Sequence, residues 1–293
     1  MLKQLVKSLA SQLGYHITVT PITNTPVAKR AAYIHIGKCG GSAIDNALRK
    51  ALATPEDARL CRDTSIAASM TNFGQALDSL DSQCRFSEHH LIQLQGLLRY
   101  FLSLERHYVS GHWGVNHDIL STYRDVHFIT MLRDPIARLK SNYIFNKLTN
   151  NLPVMPPNNF SNDDLIAEAN TILFSTRGWQ MANTQSAFIC GRYPATPDEA
   201  KAQHTRFIEN LACFGLVGFL DNLNAFSDKF TQQFSRPLDI KVHNATESQI
   251  SHETQKVVDT LQEYFSSKEI KTHLAKLCEQ ELKNIDVARE RFG

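Results

Sequence analysis

The stretch "YIHIGKCGGSAIDNALRK", residues 33–50, decides how this chain is read. An apolar run passes into Lys38, then Gly40, Gly41 and Ser42. Beyond them Ile44, Ala47, Leu48 and Leu52 recur at helical spacing. The order is strand, glycine-rich bend, helix. Such a bend turns backbone N–H groups and a helix N-terminus toward an oxyanion, with Lys38 and Ser42 as further donors. A nucleoside-triphosphate loop of the G-x-x-x-x-G-K-[ST] kind carries its lysine after the glycines. Here Lys38 comes first, so the bend reads as an anion site of another design. The plain structural alternative is a Gly-Gly turn that only lets the helix pack closely.

A second strand-to-helix joint repeats the theme. "DVHFITML" (125–132) is β-branched and aromatic enough for burial on both faces of a parallel sheet. It runs into Arg133, Asp134 and Pro135, and then Ile136, Leu139, Tyr143 and Ile144 recur at helical spacing. Asp134 suits the N-cap and Pro135 the first turn. Arg133 thus stands at the carboxyl end of a buried strand, the edge at which open α/β sheets bind ligands. Ser141 follows two helical turns later. An arginine there is costly unless it is paired, with Asp134 for example, or points into an anion pocket. Two anion-competent strand ends in one sheet suggest a ligand with two separated phosphate-like groups.

Working outward, "AAYIHI" (31–36) and "FGLVGFL" (214–220) read as further short strands, and another short strand leads into "YVSGHW" (108–113). Residues 54–105 read as helical or irregular, and the chain from Ser248 onward as polar amphipathic helices. "NNLPVMPPNNF" (150–160) reads as a loop. Strands alternating with helices predict an α/β fold: a P-loop-like, three-layer domain whose mostly parallel central sheet is flanked by helices. No linker forces a boundary in the 293 residues, which are expected to form a single domain. Its parts are an N-terminal helix and connector (1–28), an α/β core (30–245) and C-terminal helices (246–293).

Composition sets limits. With 31 basic and 29 acidic residues the charge is nearly balanced, which argues against a protein that grips a nucleic-acid backbone through bulk charge. Anion selectivity must come from a site. The six cysteines are scattered without a C-x-x-C pair, so free thiols in a reducing compartment are expected. No run approaches a membrane span, and the N-terminus lacks the apolar run of a signal peptide. Leu2, Leu5, Val6, Leu9 and Leu13 share one helical face, which suits packing on the domain or peripheral contact with an anionic membrane surface. A cytoplasmic location is expected.

The two joints carry a resemblance. "YIHIGKCGGSA" resembles "hIPKTGGTS", and "TMLRDPIARLKSNY" resembles "hRDPhxRhhSxY", of the Golgi-type carbohydrate sulfotransferases, the heparan sulfate 2-O-sulfotransferase-like group. Weaker likenesses in "SGHWG", "NTQSAFICG" and "FGLVGFLDNLNAF" follow in the same order, so the resemblance spans roughly residues 30 to 250. It implies a sulfotransferase that moves a sulfonate group from 3′-phosphoadenosine 5′-phosphosulfate (PAPS) to a hydroxyl of a glycan or glycoconjugate, leaving 3′-phosphoadenosine 5′-phosphate (PAP) and needing no metal. Carried over, Lys38, Cys39, Gly40, Gly41 and Ser42 would wrap the 5′-phosphosulfate. Arg133 and Ser141 would take the 3′-phosphate, and Thr246 in "HNATES" would be a late nucleotide contact. The chain departs from the family loop in two places, with Gly37 for proline and Cys39 for threonine. The alternatives are a kinase-like nucleotide-dependent enzyme and a non-catalytic nucleotide-binding module.

Catalysis in that reading needs a group for the leaving-phosphate oxygen, Lys38, and a base for the acceptor hydroxyl. His112 in "VSGHWG" follows a strand, has glycines on both sides of its dipeptide and matches the family's catalytic histidine. His107 and His117 are weaker candidates, and Glu88 or Glu105 are carboxylate alternatives. Asn183 and Gln185 resemble a family segment that faces the cleft. "EHH" (88–90) lacks metal spacing and reads as a polar helix face, while Trp179, Arg192 and Tyr193 suit a sugar cleft. Cys39, beside Lys38 at a helix N-terminus, is expected to have a lowered pKa and to be shielded from alkylation by bound nucleotide.

Overall fold

A computed structural model describes residues 12–14, 29–54, 57, 59–149, 161–241 and 252–293. Four strands form one sheet: β1 (Arg30–Ile34), β2 (Tyr108–Gly111), β3 (Val126–Leu132) and β4 (Leu216–Phe219). The order is β2-β1-β3-β4 and every pairing is parallel. Nearly every strand residue is buried, so both faces of the sheet are covered by helices, as a parallel sheet requires. The α/β class with a parallel sheet flanked by helices is the one the sequence predicts.

The strand order fixes where a ligand would sit. From β1 the chain moves to β2 on one side, then crosses back to β3 on the other. The connections therefore diverge between β1 and β3, and a crevice opens outside their carboxyl ends. Ile34 of β1 lies opposite Thr130 of β3, whose hydroxyl donates to the Ile34 carbonyl at 3.0 Å. Both anion-competent joints thus leave the sheet side by side.

Two helices leave those strands. Helix α1 (Gly41–Leu52) buries Ile44, Ala47, Leu48 and Leu52, as its spacing predicts. Between it and β2 come α2 (Arg62–Phe73) and the long α3 (Leu80–Ser103), which pack on each other. After α4 (His117–Thr122) and β3, helix α5 (Pro135–Leu148) starts as expected, with Asp134 Oδ1 accepting the Ala137 N–H at 2.7 Å and Pro135 in the first turn.

Beyond it run α6 (Asn162–Leu173), α7 (Thr176–Ala182), α8 (Thr184–Cys190), α9 (Pro197–Ala202) and α10 (His204–Ala212). After β4 come α11 (Leu223–Phe234), α12 (His252–Ser266), α13 (Lys268–Leu277) and α14 (Glu279–Phe292).

The apolar core has two parts. One wraps the sheet. The other joins Leu139 and Tyr143 of α5 to Ile172, Leu261, Phe265 and Leu274 of α6, α12 and α13. At about 1.5–3 kcal/mol for each large side chain buried, this second cluster holds α5 in one rotation about its axis. The rotation matters because the other side of α5 faces the crevice. Among the described residues no helix is long and apolar enough to cross a membrane. Of the expected N-terminal helix and connector (1–28), residues 1–11 and 15–28 lie outside the described residues, as do the 150–160 loop and "HNATES" with Thr246.

Candidate functional site

The crevice is a cleft of about 1140 Å³ reached by both joints. Its floor at one end is the β1–α1 bend. Lys38 and Gly40 have left-handed backbones, with φ of 68° and 74°. Glycine takes that conformation freely, but a lysine is strained in it. Two hydrogen bonds hold Lys38 there: Arg133 Nη1 donates to the Lys38 carbonyl at 2.9 Å, and the Cys39 N–H donates to the Ile36 carbonyl at 3.3 Å. Gly40 is the N-cap of α1 and offers no side chain, so no side-chain cap covers the first amides of a 12-residue helix. Those amides and the helix dipole point at the cleft lining formed by Gly40, Gly41, Ser42 and Ala43.

The Lys38 ammonium lies 4.3 Å from the centre of the Phe145 ring. Phe145 is one helical turn from Ser141 on α5, on the same face, so the ammonium, Ser141 and Arg133 converge on one end of the cleft. Partial burial pushes the Lys38 pKa down, and the neighbouring Arg133 cation pushes it further the same way. Asp134 does not neutralise Arg133, because it is used as the α5 cap. No aspartate or glutamate is found among the described residues that line the cleft, whereas Lys38, Arg62, Arg133, Arg138 and Arg177 all do. Arg138 is fully buried. It donates to the Met181 carbonyl, and its Nε has no partner among the described residues.

A pair of imidazoles stands mid-cleft. His112 stacks on His35 with ring centres 4.1 Å apart. A β-carbon on Gly37 would come within 3.9 Å of His112 Cε1, and one on Gly41 would lie 1.5 Å from His35 Nε2. Glycine at 41 is therefore what lets His35 rest against the bend. Burial, with the Arg62 charge next, brings the His112 pKa down to about 4, while a hydrogen bond to the His35 backbone works the other way. His35 is held well below its ordinary value, first by burial and then by His112 and Arg59. Both rings are neutral near pH 7, so each is a proton acceptor rather than a cation there.

The structure brings together Lys38, Gly40, Gly41, Ser42, Arg133, Ser141 and His112, and it corrects several expectations. Cys39 does not face the cleft. Its side chain is fully buried with Sγ 3.6 Å from Gln185 Oε1, and burial raises the thiol pKa to about 12 in spite of the Arg138 and Arg133 charges. Helix dipole and lysine lose to desolvation because the side chain turns inward.

Gln185 and Asn183 are buried beneath the cleft rather than lining it. Gln185 Oε1 accepts the Arg133 N–H and Nε2 donates to the Arg133 carbonyl, both at 2.9 Å, so one amide side chain closes off the strand end like a partner strand. Glu281 of α14 in turn accepts the Gln185 and Ser186 N–H groups at 2.8 and 3.0 Å.

Glu88 is tied to the Tyr193 N–H at 3.0 Å, and neither it nor Glu105, His107 or His117 lines the cleft. Trp179 donates to the Pro194 carbonyl at 2.9 Å, and of the expected sugar-cleft residues only Tyr193 lines the cavity. The "EHH" segment is not a solvated face, since His90 lines the cleft. His35, Arg138 and Arg177 escaped sequence reasoning. His35 had a signal, because it shares strand alternation with Tyr33 just before the bend; Arg177 had none.

Two outcomes follow from these environments. On alkylation of the native protein, the exposed Cys61 and Cys213 are expected to react while Cys39 stays unmodified until denaturation, as mapped by peptide mass spectrometry. His35, His90 and His112 all have folded pKa values below the unfolded value of 6.5, those of His90 and His112 at about 4. The unfolded chain binds more protons in that window, so the stability they carry is full above about pH 6.5 and is lost as the pH falls toward about 4. Thermal melts should drop across that range, and His112→Asn should flatten the drop; an unchanged slope would contradict the assignment.

No family model matches the chain, and no curated protein matches it. Among solved structures the chain is similar to a sulfotransferase from Alicyclobacillus acidocaldarius, at 14% identity over 86% of this chain and 97% of that one. The TM-score is 0.36, too low for the likeness to fix family or function.

Proposed function

We propose that the chain is a sulfotransferase that binds PAPS across the ends of β1 and β3 and passes its sulfonate group to a hydroxyl, on a glycan or glycoconjugate by resemblance. The observation that carries this reading is the convergence of Lys38, Ser141 and Arg133, with the uncapped α1 amides, on one cleft lined by no described carboxylate. A donor with separated phosphate-like groups supplies the matching charges, and a cavity of about 1140 Å³ has room for a nucleotide and an acceptor together. That donor carries its sulfonate group in a phosphoric–sulfuric anhydride, whose phosphate is a good leaving group.

The protein's own residues have definite tasks. The amides of Gly41 and Ser42, with the Ser42 hydroxyl, hold the 5′ end by direct donation. Lys38, whose pKa is lowered by burial and then by Arg133, is the cation set against the negative charge that grows on the leaving oxygen. Arg133 and Ser141 hold the 3′-phosphate. His112 takes the proton of the acceptor hydroxyl as its oxygen bonds to sulfur and the sulfur–phosphate oxygen bond breaks. A ring with a pKa of about 4 is a weak base in the free protein. Burial is the chief reason, and repulsion from Arg62 and Arg59 adds to it. A bound anion offsets that repulsion, so basicity rises when the donor is in place.

Purified protein given PAPS carrying labelled sulfur is expected to label a hydroxyl acceptor, and calorimetry should show PAP binding. Lys38→Ala and His112→Ala should each lower turnover by about 100-fold or more, in keeping with the loss of one transition-state donor or a general base. Arg133→Ala should act mainly on PAP affinity. Wild-type rates in all three would overturn the assignment.

Gln185→Ala tests the support beneath. It strands the Arg133 N–H and carbonyl, and each buried unpaired group costs about 1–3 kcal/mol. A lowered melting temperature together with weakened PAP binding is expected; melting and binding equal to wild type would show that the amide clamp does nothing.

A further inference from the structure

The cleft has a second end, and its chemistry differs from the first. The α2–α3 pair walls it with Ile66 and Met70 from α2, Leu77 from the connection, and Phe86, Leu91 and Leu94 from α3. Helix α2 is unusual for a packed helix: the residues it buries are Ser65 and Ser69, while Ile66 is half-buried and Met70 is 45% exposed. Apolar side chains are thus spent on the cleft wall, not on the core. Leu91 and Leu94 are buried behind it, and Ile66, Met70, Leu77 and Phe86 keep apolar surface open to the cleft. An oligosaccharide, hydroxylated on every side, gains little from these four, whereas an alkyl or aryl group gains roughly 25 cal/mol for every Å² it buries there.

Two guanidinium groups stand beside this wall. Arg177 of α7 is half-buried and is held by neutral partners, the Ser87 hydroxyl and the Gln180 side-chain oxygen, and its buried Nε has no partner among the described residues. Among the described residues the Arg62 guanidinium is paired with its exposed neighbour Asp63, at 3.4 Å. Neither is needed at the donor end, where Lys38 and Arg133 already lie. A half-buried arginine fixed by neutral groups, in a cleft without described carboxylates, is completed by an anion from outside. His112 stands between the two ends. It packs near Gly37 of the donor bend, and it lines the same cleft as Arg62 and His90 on the α2–α3 side.

We infer that the α2–α3 arm takes a hydroxylated anionic amphiphile as acceptor: a molecule with an acidic group for Arg177 and Arg62, an apolar chain along Ile66, Met70 and Phe86, and its hydroxyl presented to His112. The acceptor role rests on the sulfotransferase reading above. The binding preference does not.

Alkyl glycosides separate the two requirements. Octyl β-glucuronide carries the acid, the chain and hydroxyls; octyl β-glucoside lacks the acid, and methyl β-glucuronide lacks the chain. Below micellar concentrations and with PAP present, calorimetry on the full chain should show octyl glucuronide binding about tenfold more tightly than either, the scale of one charge-assisted hydrogen bond or of a few buried methylenes. Arg177→Gln, and independently Arg62→Gln, should shrink the preference over the glucoside. Met70→Gln, at an exposed position, should shrink the preference over the methyl compound. All three should leave PAP binding unchanged. Equal affinity for the three glycosides, or competition between octyl glucuronide and PAP, would overturn the inference. If PAP does not bind while both preferences persist, the donor reading falls and the amphiphile arm stands.

Discussion

Two like charges, the Lys38 ammonium and the Arg133 guanidinium, are brought to one end of a cleft with no carboxylate set between them among the described residues. Like charges brought close together in a partly buried site repel, so such an arrangement does not assemble by itself. The fold imposes it. Parallel pairing of β1 with β3 delivers the two chain segments side by side, and the Arg133 guanidinium is then bonded to the carbonyl of the very lysine it repels. One bond thereby fixes the cation and props the left-handed backbone of Lys38. Burial depresses the Lys38 pKa first and the repulsion that remains lowers it further, and a bound polyanion would relieve that second cause.

Distant parts of the chain maintain that arrangement. Glu281, near the C-terminus, caps the start of α8 and so holds Gln185, which grips Arg133 and touches the Cys39 thiol. Burial raises the Glu281 pKa, and the hydrogen bonds from Ser186 oppose it by favouring the charged form. The second apolar cluster, built largely from α6, α12 and α13, orients α5 so that Ser141 and Phe145 meet Lys38. The C-terminal helices are therefore supports of the site, although none of their described residues lines the cleft.

The sheet was legible because each strand is a short apolar run closed by a helix signal. The Asp134-Pro135 start and the inward face of α1 fell where periodicity placed them. The anion ends were legible for a related reason: glycines, lysine and arginine at strand ends have few structural uses that favour those positions. What could not be read was direction. Cys39 and Ser42 lie three residues apart on one bend, yet only Ser42 lines the cleft, since a left-handed turn on either side of Cys39 rolls its thiol into the core. Gln185 looked like a cleft residue and is a buried clamp for the same reason. Arg177 and the α2–α3 wall belong to segments whose register against the sheet is set only by tertiary packing, and no local pattern encodes that.

The two halves of the cleft answer to different forces. At the strand ends, backbone amides and cations select charge, and their geometry is fixed by sheet register and by Gln185. On the α2–α3 side, apolar surface from that helix pair stands beside two guanidinium groups, Arg62 of α2 and Arg177 of α7, and α3 packs on α7 as well as on α2. His35 and His112 join the halves as a stacked neutral pair between cations. An imidazolium there would face Arg62 and Arg59 without hydration, which is why burial and charge together keep both rings unprotonated. The cationic lining that attracts an anion is thus also what keeps the central imidazoles free to accept a proton. Binding and proton acceptance follow from one distribution of charge.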